Sequence, residues 1–356
     1  MRTLLSRTAA AVLAVSLFAG AQIEAKAGHS RENPVVGAVK KAAGGIVTLK
    51  VEKRGAYSKK EVIGTGVIVD ARGYVLTNRH VVSGAEGVVA VLSDGTELTA
   101  EVMIEDQNHD MAVVKLPAGR TYQELTFGPA SDLMVGEEVI AIGHPYGYTN
   151  TVSTGIVSAL GRDVPMPTGE VLTHLIQTTA SINPGNSGGP LLNINGELIG
   201  INVAVRQDAQ SIAFALNADM VQQVLAQDLS AGKLAHVAHG LTCHEVVKDE
   251  DGPDRVQVVV DEVASKSPAA KAGLKKGDVL LKVADRPVTN RFDVERALWG
   301  CKAGDEVKVA LRQGGRLTDT RLTLSHGDGE QNTASAAAPQ VEWDMASVGT
   351  PVSGQK

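Results

Sequence analysis

Three residues able to perform nucleophilic acyl transfer stand in order along this 356-residue chain: His80 in Thr77-Asn-Arg-His-Val-Val82, Asp110 in His109-Asp-Met-Ala-Val-Val114, and Ser187 in Gly185-Asn-Ser-Gly-Gly189. Acyl transfer needs a nucleophile, a base to take its proton, a group that orients the base, and donors for the developing oxyanion. Ser187 is the candidate nucleophile, His80 the base and then the acid, and Asp110 the carboxylate that fixes the imidazole tautomer. The glycines around Ser187 let the backbone turn tightly, so the N–H groups of Gly185 and Ser187 can converge on one oxygen. Taken singly, each residue reads as a Gly-rich turn or a structural polar group. Together, and in this order, the three point to acyl-transfer chemistry.

Rigid elements must aim these side chains. From Ile46 to about Leu216 short β-branched segments alternate with Gly, Asn, Asp and Pro, for example Gly66–Asp70, Ala112–Leu116 and Glu138–Ile142, which predicts an all-β sandwich or barrel. His80 follows one such segment and Asp110 precedes another. Asn195-Gly196, between Pro190–Ile194 and Glu197–Ile201, predicts a two-residue hairpin with positive φ at both turn positions. Asn217 is placed to cap a helix running to about Leu229, with Gly232 as its stop. From 235 to 325 strands at Val256–Val260, Asp278–Lys282 and Glu306–Ala310 mix with two short helices, one started by Ser267-Pro268 and closed by Gly273, the other capped by Asn290. This is an α+β module.

The blocks Gly64–Asp70, TNRHVV, HDMAVVKL, Gly143-His-Pro-Tyr-Gly147, Thr154–Arg162, Gln177–Pro190 and Ile212–Leu216 resemble, in order, those of the HtrA (Deg) family of serine proteases, over roughly residues 34 to 325. The order His, Asp, Ser is that of chymotrypsin-like enzymes. The resemblance implies a mainly β fold, a chymotrypsin-like double β-barrel over 28–231 followed by a PDZ domain over 235–325. It implies a specificity pocket of Ser181, Ile182 and Ala213; Ser181 stands about where trypsin-like enzymes carry the acid that selects Lys or Arg, so small or medium aliphatic side chains are expected. Asn186 stands where digestive relatives have an Asp that pairs with a newly cut N-terminus, so no zymogen switch is expected. Thr179, Ala213 and Asn217 depart from the commoner Asp, Gly and Pro of the family. Arg162 matches a family arginine that relays the state of the regulatory domain, or is an exposed loop arginine.

Within the second module His239-Gly-Leu-Thr-Cys243 and Ser267–Leu281 resemble a bacterial-type PDZ domain. Such domains receive a peptide as an added strand and hold its carboxylate on backbone N–H groups. That implies a loop containing His239, Gly240 and Leu241, and an apolar pocket of Leu241, Val294, Ala297 and Leu298. Cys243 and Cys301 are the only cysteines, open to being a disulfide or two thiols. His236, His239, Cys243 and His244 do not form a metal site, because strand geometry separates them. No metal and no cofactor is expected.

Arg2 and Arg7 precede an apolar run from Ala9 to Ala21 and the pattern Ala25-Lys-Ala27, which predicts a signal peptide over 1–27. The run is shorter than the roughly 20 residues a membrane anchor needs. The formal net charge of −6 becomes about −8 without that segment, against a nucleic-acid partner. Residues 327–356 have few apolar side chains and predict a disordered tail. The expected protein is an extracytoplasmic endopeptidase of unfolded polypeptides, regulated by peptides with apolar C-termini and, by resemblance to smaller family members, a homotrimer. The alternatives are a chaperone or scaffold with a resting active site, and a narrow-target regulatory protease.

Overall fold

The structure, a computed structural model, describes residues 31–54, 59–144, 151–166, 171–205, 211–248 and 255–327. The expected signal peptide, and the expected tail beyond Gly327, lie outside the described residues.

Asn33 caps helix α1 (Pro34–Ala42), accepting the Val36 N–H at 2.8 Å, and Pro34 occupies its first turn. This helix was not expected from the sequence pattern. Strands β1 (Ile46–Arg54), β2 (Lys59–Asp70) and β3 (Tyr74–Asn78) lead into the one-turn helix α2 (Arg79–Val82), and β4 (Ala85–Val91), β5 (Glu97–Asp106) and β6 (Met111–Lys115) follow. These six strands close into a barrel in the order β1-β2-β3-β6-β5-β4. A second closed barrel is made of β7 (Glu138–Gly143), β8 (Thr151–Pro165), β9 (Val171–Thr178), β10 (Pro190–Leu192), β11 (Leu198–Val205) and β12 (Ala213–Asn217), in the order β10-β11-β12-β9-β8-β7. Closure leaves neither sheet an open edge.

The Asn195-Gly196 hairpin differs from expectation. Only Gly196, with φ 72°, has the left-handed backbone. The Asn193 side chain accepts the N–H groups of Asn195 and Glu197, both at 3.0 Å, so a longer turn built on Asn193 replaces the two-residue turn. Asn217 does cap helix α3 (Ala218–Asp228), accepting the Asp219 N–H at 2.8 Å. That helix ends at Leu229 rather than at Gly232, because the Ser230 side chain starts a separate helix α4 (Ala231–Ala235) that contains Gly232.

The C-terminal module begins with β13 (Val237–Ala238) and β14 (Leu241–Val247), then β15 (Val256–Val263), helix α5 (Pro268–Lys271), β16 (Val279–Val283), β17 (Arg286–Pro287) and helix α6 (Arg291–Ala297). It ends with β18 (Glu306–Gln313), β19 (Arg316–Thr323) and β20 (Ser325–His326). Its sheet runs β14-β15-β16-β18-β19, with β14 at one edge. Both helix starts expected from sequence are present: Ser267 accepts from Ala270 N–H, and Asn290 forms a reciprocal capping box with Asp293.

Helix α6 belongs to two cores. Val294 and Leu298 pack into the C-terminal module, while Phe292 is fully buried in the core cluster of the barrels. Trp299 continues that contact, its ring 4.6 Å from Tyr74 and its indole N–H donated to Leu229 O at 2.8 Å. Arg296 crosses between the units: Nη1 donates to Val69 O at 2.6 Å, Nε donates to Asp293 at 2.7 Å, and Nη1 lies 3.8 Å from Asp70. Arg286 joins from β17, its Nη2 donating to Glu124 at 2.7 Å.

Candidate active site

Asp110 sits just before β6 with φ 50°, a conformation that a β-branched residue would strain to adopt and that Asp tolerates. Its neighbours fix it. Asp110 O accepts the Arg79 N–H at 3.0 Å and the Asn78 amide at 3.1 Å. One carboxylate oxygen accepts the His80 backbone N–H at 2.9 Å, and the other lies 2.6 Å from His80 Nδ1. A carboxylate held against Nδ1 places the proton there and leaves Nε2 as the acceptor. Lys53 on β1 donates to His80 O at 2.9 Å, which ties α2 to the first barrel from the other side. The Asp110 side chain is 12% exposed and that of His80 45%, so the imidazole is supported from beneath and open above.

The segment carrying Ser187 is held almost peptide by peptide. Asn186 N donates to Asn183 O, Gly189 N to Asn186 O and Gly188 N to Asn202 O, each at 2.9 Å. Among the described residues no group accepts the N–H of Gly185 or of Ser187. Gly185 has φ 104° and Gly188 φ 81°. A Cβ on Gly188 would lie 2.2 Å from both Thr65 O and Thr77 Oγ1, so only glycine brings the run this close to the end of β3, three residues before His80. The first barrel also grips the run directly. Thr65 N donates to Ser187 O at 3.0 Å, and Thr65 Oγ1 donates to Gly185 O at 2.6 Å.

Of the expected pocket residues, Ile182 and Ala213 are buried in the second-barrel core, while Ser181 is exposed with its carbonyl accepting the Ser153 hydroxyl at 2.7 Å. Residues 145–150 and 206–210 lie outside the described residues. Arg162 is exposed on β8. Asn186, 2% exposed, is buried under Gly143.

Residues 64–201 match the trypsin-like peptidase domain family and residues 199–324 the PDZ domain family. The putative serine protease HhoA of Synechocystis is 37% identical over 278 residues, which cover 74% of this chain and 69% of that protein. A solved structure titled HtrA-type protease AlgW with tripeptide superimposes with a TM-score of 0.51 at 29% identity, over 82% of this chain and 96% of that one. The chain belongs to the HtrA family of serine proteases. A third HtrA-family relative, a probable periplasmic serine protease do/HhoA-like from Haemophilus influenzae, is 35% identical over 288 residues and 79% of this chain. The chain spans 62–64% of the length of the first curated relatives it matches.

In this HtrA-family chain the PDZ residues singled out from sequence are gathered between β14 and α6, but the space between those elements is bridged. Leu241, Val294 and Leu298 are buried in one cluster with Cys243, and Ala297 packs against it. His239 is 1% exposed; its Nδ1 accepts the Leu241 N–H at 3.2 Å, and its Nε2 lies 3.1 Å from Glu295. Glu295 also accepts the Ala231 N–H at 2.7 Å. At the far end the Arg291 guanidinium donates to Glu245 at 2.7 and 2.9 Å. The loop N–H of Leu241, expected to hold a ligand carboxylate, is thus satisfied internally, and Gly240 O accepts from Ala264 N–H. Glu245, Arg291 and Glu295 were not among the residues expected from sequence. Their signal was a charge at each end of an otherwise apolar strand–helix pairing. Both cysteines are free thiols, and burial pushes the Cys243 thiol well above its ordinary range. Among the described residues no group of three His, Cys, Asp or Glu is placed to hold a metal ion.

Proposed function

We propose that this HtrA-family chain is a serine endopeptidase in which Ser187 is the nucleophile, His80 the base and Asp110 its orienter. The observation that carries the reading is the paired hold of Asp110 on the backbone N–H and Nδ1 of His80, next to a glycine-bounded serine run with two N–H groups uncommitted among the described residues. Ser187 Oγ attacks the scissile carbonyl as His80 Nε2 takes its proton. The tetrahedral oxyanion is received by the N–H groups of Gly185 and Ser187, and the His80 imidazolium then protonates the leaving amine. Water repeats the sequence on the acyl-enzyme. A specificity pocket of Ser181, Ile182 and Ala213 with an aliphatic preference is part of the proposal, by resemblance to the family. The N-terminal pattern and the periplasmic relative support an extracytoplasmic location. No described helix is long and apolar enough to cross a membrane. Unfolded polypeptides are the proposed substrates and a homotrimer the proposed assembly.

Ser187→Ala should lower turnover of unfolded casein by about 10⁶-fold, by the measure of other Ser-His-Asp sites. Wild-type cleavage by pure Ser187→Ala protein refutes the reading.

A resting form of the same enzyme is favoured by the bridged PDZ groove, since a peptide entering it must displace the His239–Glu295 and Arg291–Glu245 pairs. Casein hydrolysis with and without peptides bearing apolar C-termini tests this: stimulation supports a triggered protease, and no cleavage in either condition supports a binding protein.

A further inference from the structure

Thr65 lies in Gly64-Thr-Gly66 on β2, in the first barrel, and is fully buried. Its three polar groups all face the barrel junction. The N–H holds Ser187 O at 3.0 Å, the hydroxyl donates to Gly185 O at 2.6 Å, and the carbonyl accepts the Thr77 hydroxyl at 2.8 Å. The same hydroxyl accepts the His144 N–H at 3.1 Å, so the segment leaving β7 is tied to the same atom. A hydroxyl has one donor and two acceptor sites, and here the donor is spent on Gly185.

We propose that Thr65 is a positioning residue of the hydrolytic reaction, which sets the oxyanion donors by holding the carbonyls of Gly185 and Ser187 turned away from them. Gly185 has φ 104° and no side chain to resist rotation of its peptide planes, yet its carbonyl is buried and must have a partner. The Thr65 hydroxyl supplies that partner on the side of the first barrel. With Gly185 O held there, Asn186 N–H reaches Asn183 O at 2.9 Å, and the N–H groups of Gly185 and Ser187 stay uncommitted among the described residues. Without the hydroxyl, rotation of the 185–186 plane brings an acceptor to the place where the oxyanion needs donors. Thr65 touches neither His80 nor Asp110 through any of these bonds, so it acts on the oxyanion side alone.

The inference rests on the assignment of Ser187 as nucleophile, and the test separates the two. Thr65→Val removes the hydroxyl at nearly constant volume, and Thr65→Ser restores it. The readout is steady-state cleavage of a fluorogenic peptide carrying a site that the wild type cuts in casein, with thermal midpoints measured in parallel. Loss of one oxyanion donor costs about 10²–10³-fold in kcat, and misalignment of donors still present should cost about 10–100-fold. Thr65→Val is expected to show that loss in kcat with KM within about twofold and an unchanged apparent pKa on the acid limb of the pH–rate profile, and Thr65→Ser to recover to within about threefold of wild type. Should Thr65→Val not yield folded protein, Thr65→Ala measured below its own midpoint carries the same expectation. Wild-type kcat in the folded hydroxyl-free variant overturns the inference, as does a loss confined to KM or one that Thr65→Ser shares in full. Normal turnover in Thr65→Val alongside inactive Ser187→Ala overturns this inference alone, whereas active Ser187→Ala overturns the assignment beneath it.

Discussion

Arg296→Met should loosen the PDZ domain from the barrels without unfolding either. Arg296 is 7% exposed and its guanidinium is the cation nearest Asp293, while also reaching Val69 O, Glu124 and Asp70. Met keeps much of the apolar stem and removes the charge and the donors. Breaking a buried pair by removing one partner costs about 3–5 kcal/mol, because the remaining charge stays buried and unpaired. Arg72 holds Asp70 at 2.7 Å and Arg286 holds Glu124 at 2.7 Å, so part of the acidic cluster stays compensated. The expected net cost is therefore about 2–3 kcal/mol. At about 1.4 kcal/mol per decade, that raises the opening constant of the interface about 30- to 150-fold. Native-state hydrogen exchange of peptides covering α6, together with the Trp299 indole N–H bonded to Leu229 O, reads this directly. Exchange in β18 and β19, at the opposite edge of the C-terminal sheet from β14, should change little. Adding Asp70→Asn should cost less than the sum of the two single changes, since both remove partners from one network. Protection altered by less than threefold in Arg296→Met refutes the claim that this arginine fastens the domains.

Gly188→Ala meets Thr65 O and Thr77 Oγ1 at 2.2 Å from a left-handed backbone, so it should destabilise the protease domain by about 2–4 kcal/mol, and a denaturation midpoint equivalent to less than about 1 kcal/mol of change refutes the packing argument. At Asp70 burial pulls the pKa up, but the hydrogen bonds from Arg72 and the charges of Arg72 and Arg296 overcome it and leave the carboxyl below its ordinary value of 3.8. Its contribution is thus fully present above that ordinary value and lost as pH falls through the lower, folded value; interface protection should be flat above about pH 5 and fall in acid, and Asp70→Asn should abolish that fall. Burial raises both thiols, Cys243 being the more enclosed. At pH 8 a disulfide reagent should therefore titrate Cys301 first and Cys243 only on unfolding, with two thiols in denatured, unreduced protein; none would show that a bridge forms.

Elements with local signals were legible in the sequence. Asn217, Ser267-Pro268 and Asn290 each announce a helix start through a side chain that accepts a nearby N–H, and all three do so in the structure. Strand segments such as Glu138–Ile142 follow from β-branched runs between turn residues; that one ends a residue short of the observed strand, whereas Gly66–Asp70 is only the last part of β2 and Val256–Val260 stops three residues before β15 does. The turn at Asn195 was misjudged because Asn193, outside the two-residue window, supplies the acceptor that organises it. Partnerships between distant segments were not legible. Thr65 gives no local sign of reaching Gly185, 120 residues on, and Glu295 reads as an ordinary helix-surface charge until the fold sets it against His239. The departure at Asn217 has a local account as a helix cap, whereas nothing in the structure explains Arg162 beyond an exposed strand position.

Helix α1 is the first described element of the chain, yet it fastens nearly the last turn of the second barrel: Lys41 Nζ donates to Asn195 O, 154 residues away, at 2.9 Å, and Ala38 passes so close to Gly196 that a Cβ there would lie 3.1 Å from its backbone. A chain that emerges from its N-terminus must therefore carry the apolar stripe of Ala38 and Ala42 unburied until most of the protease domain has followed it. Closing such a long loop slows folding and prolongs exposure of that stripe. Deleting or blocking this short helix would leave the hairpin after Ser187 without its outer brace, so an intact α1 becomes a condition on the rigidity of the strand that follows Ser187.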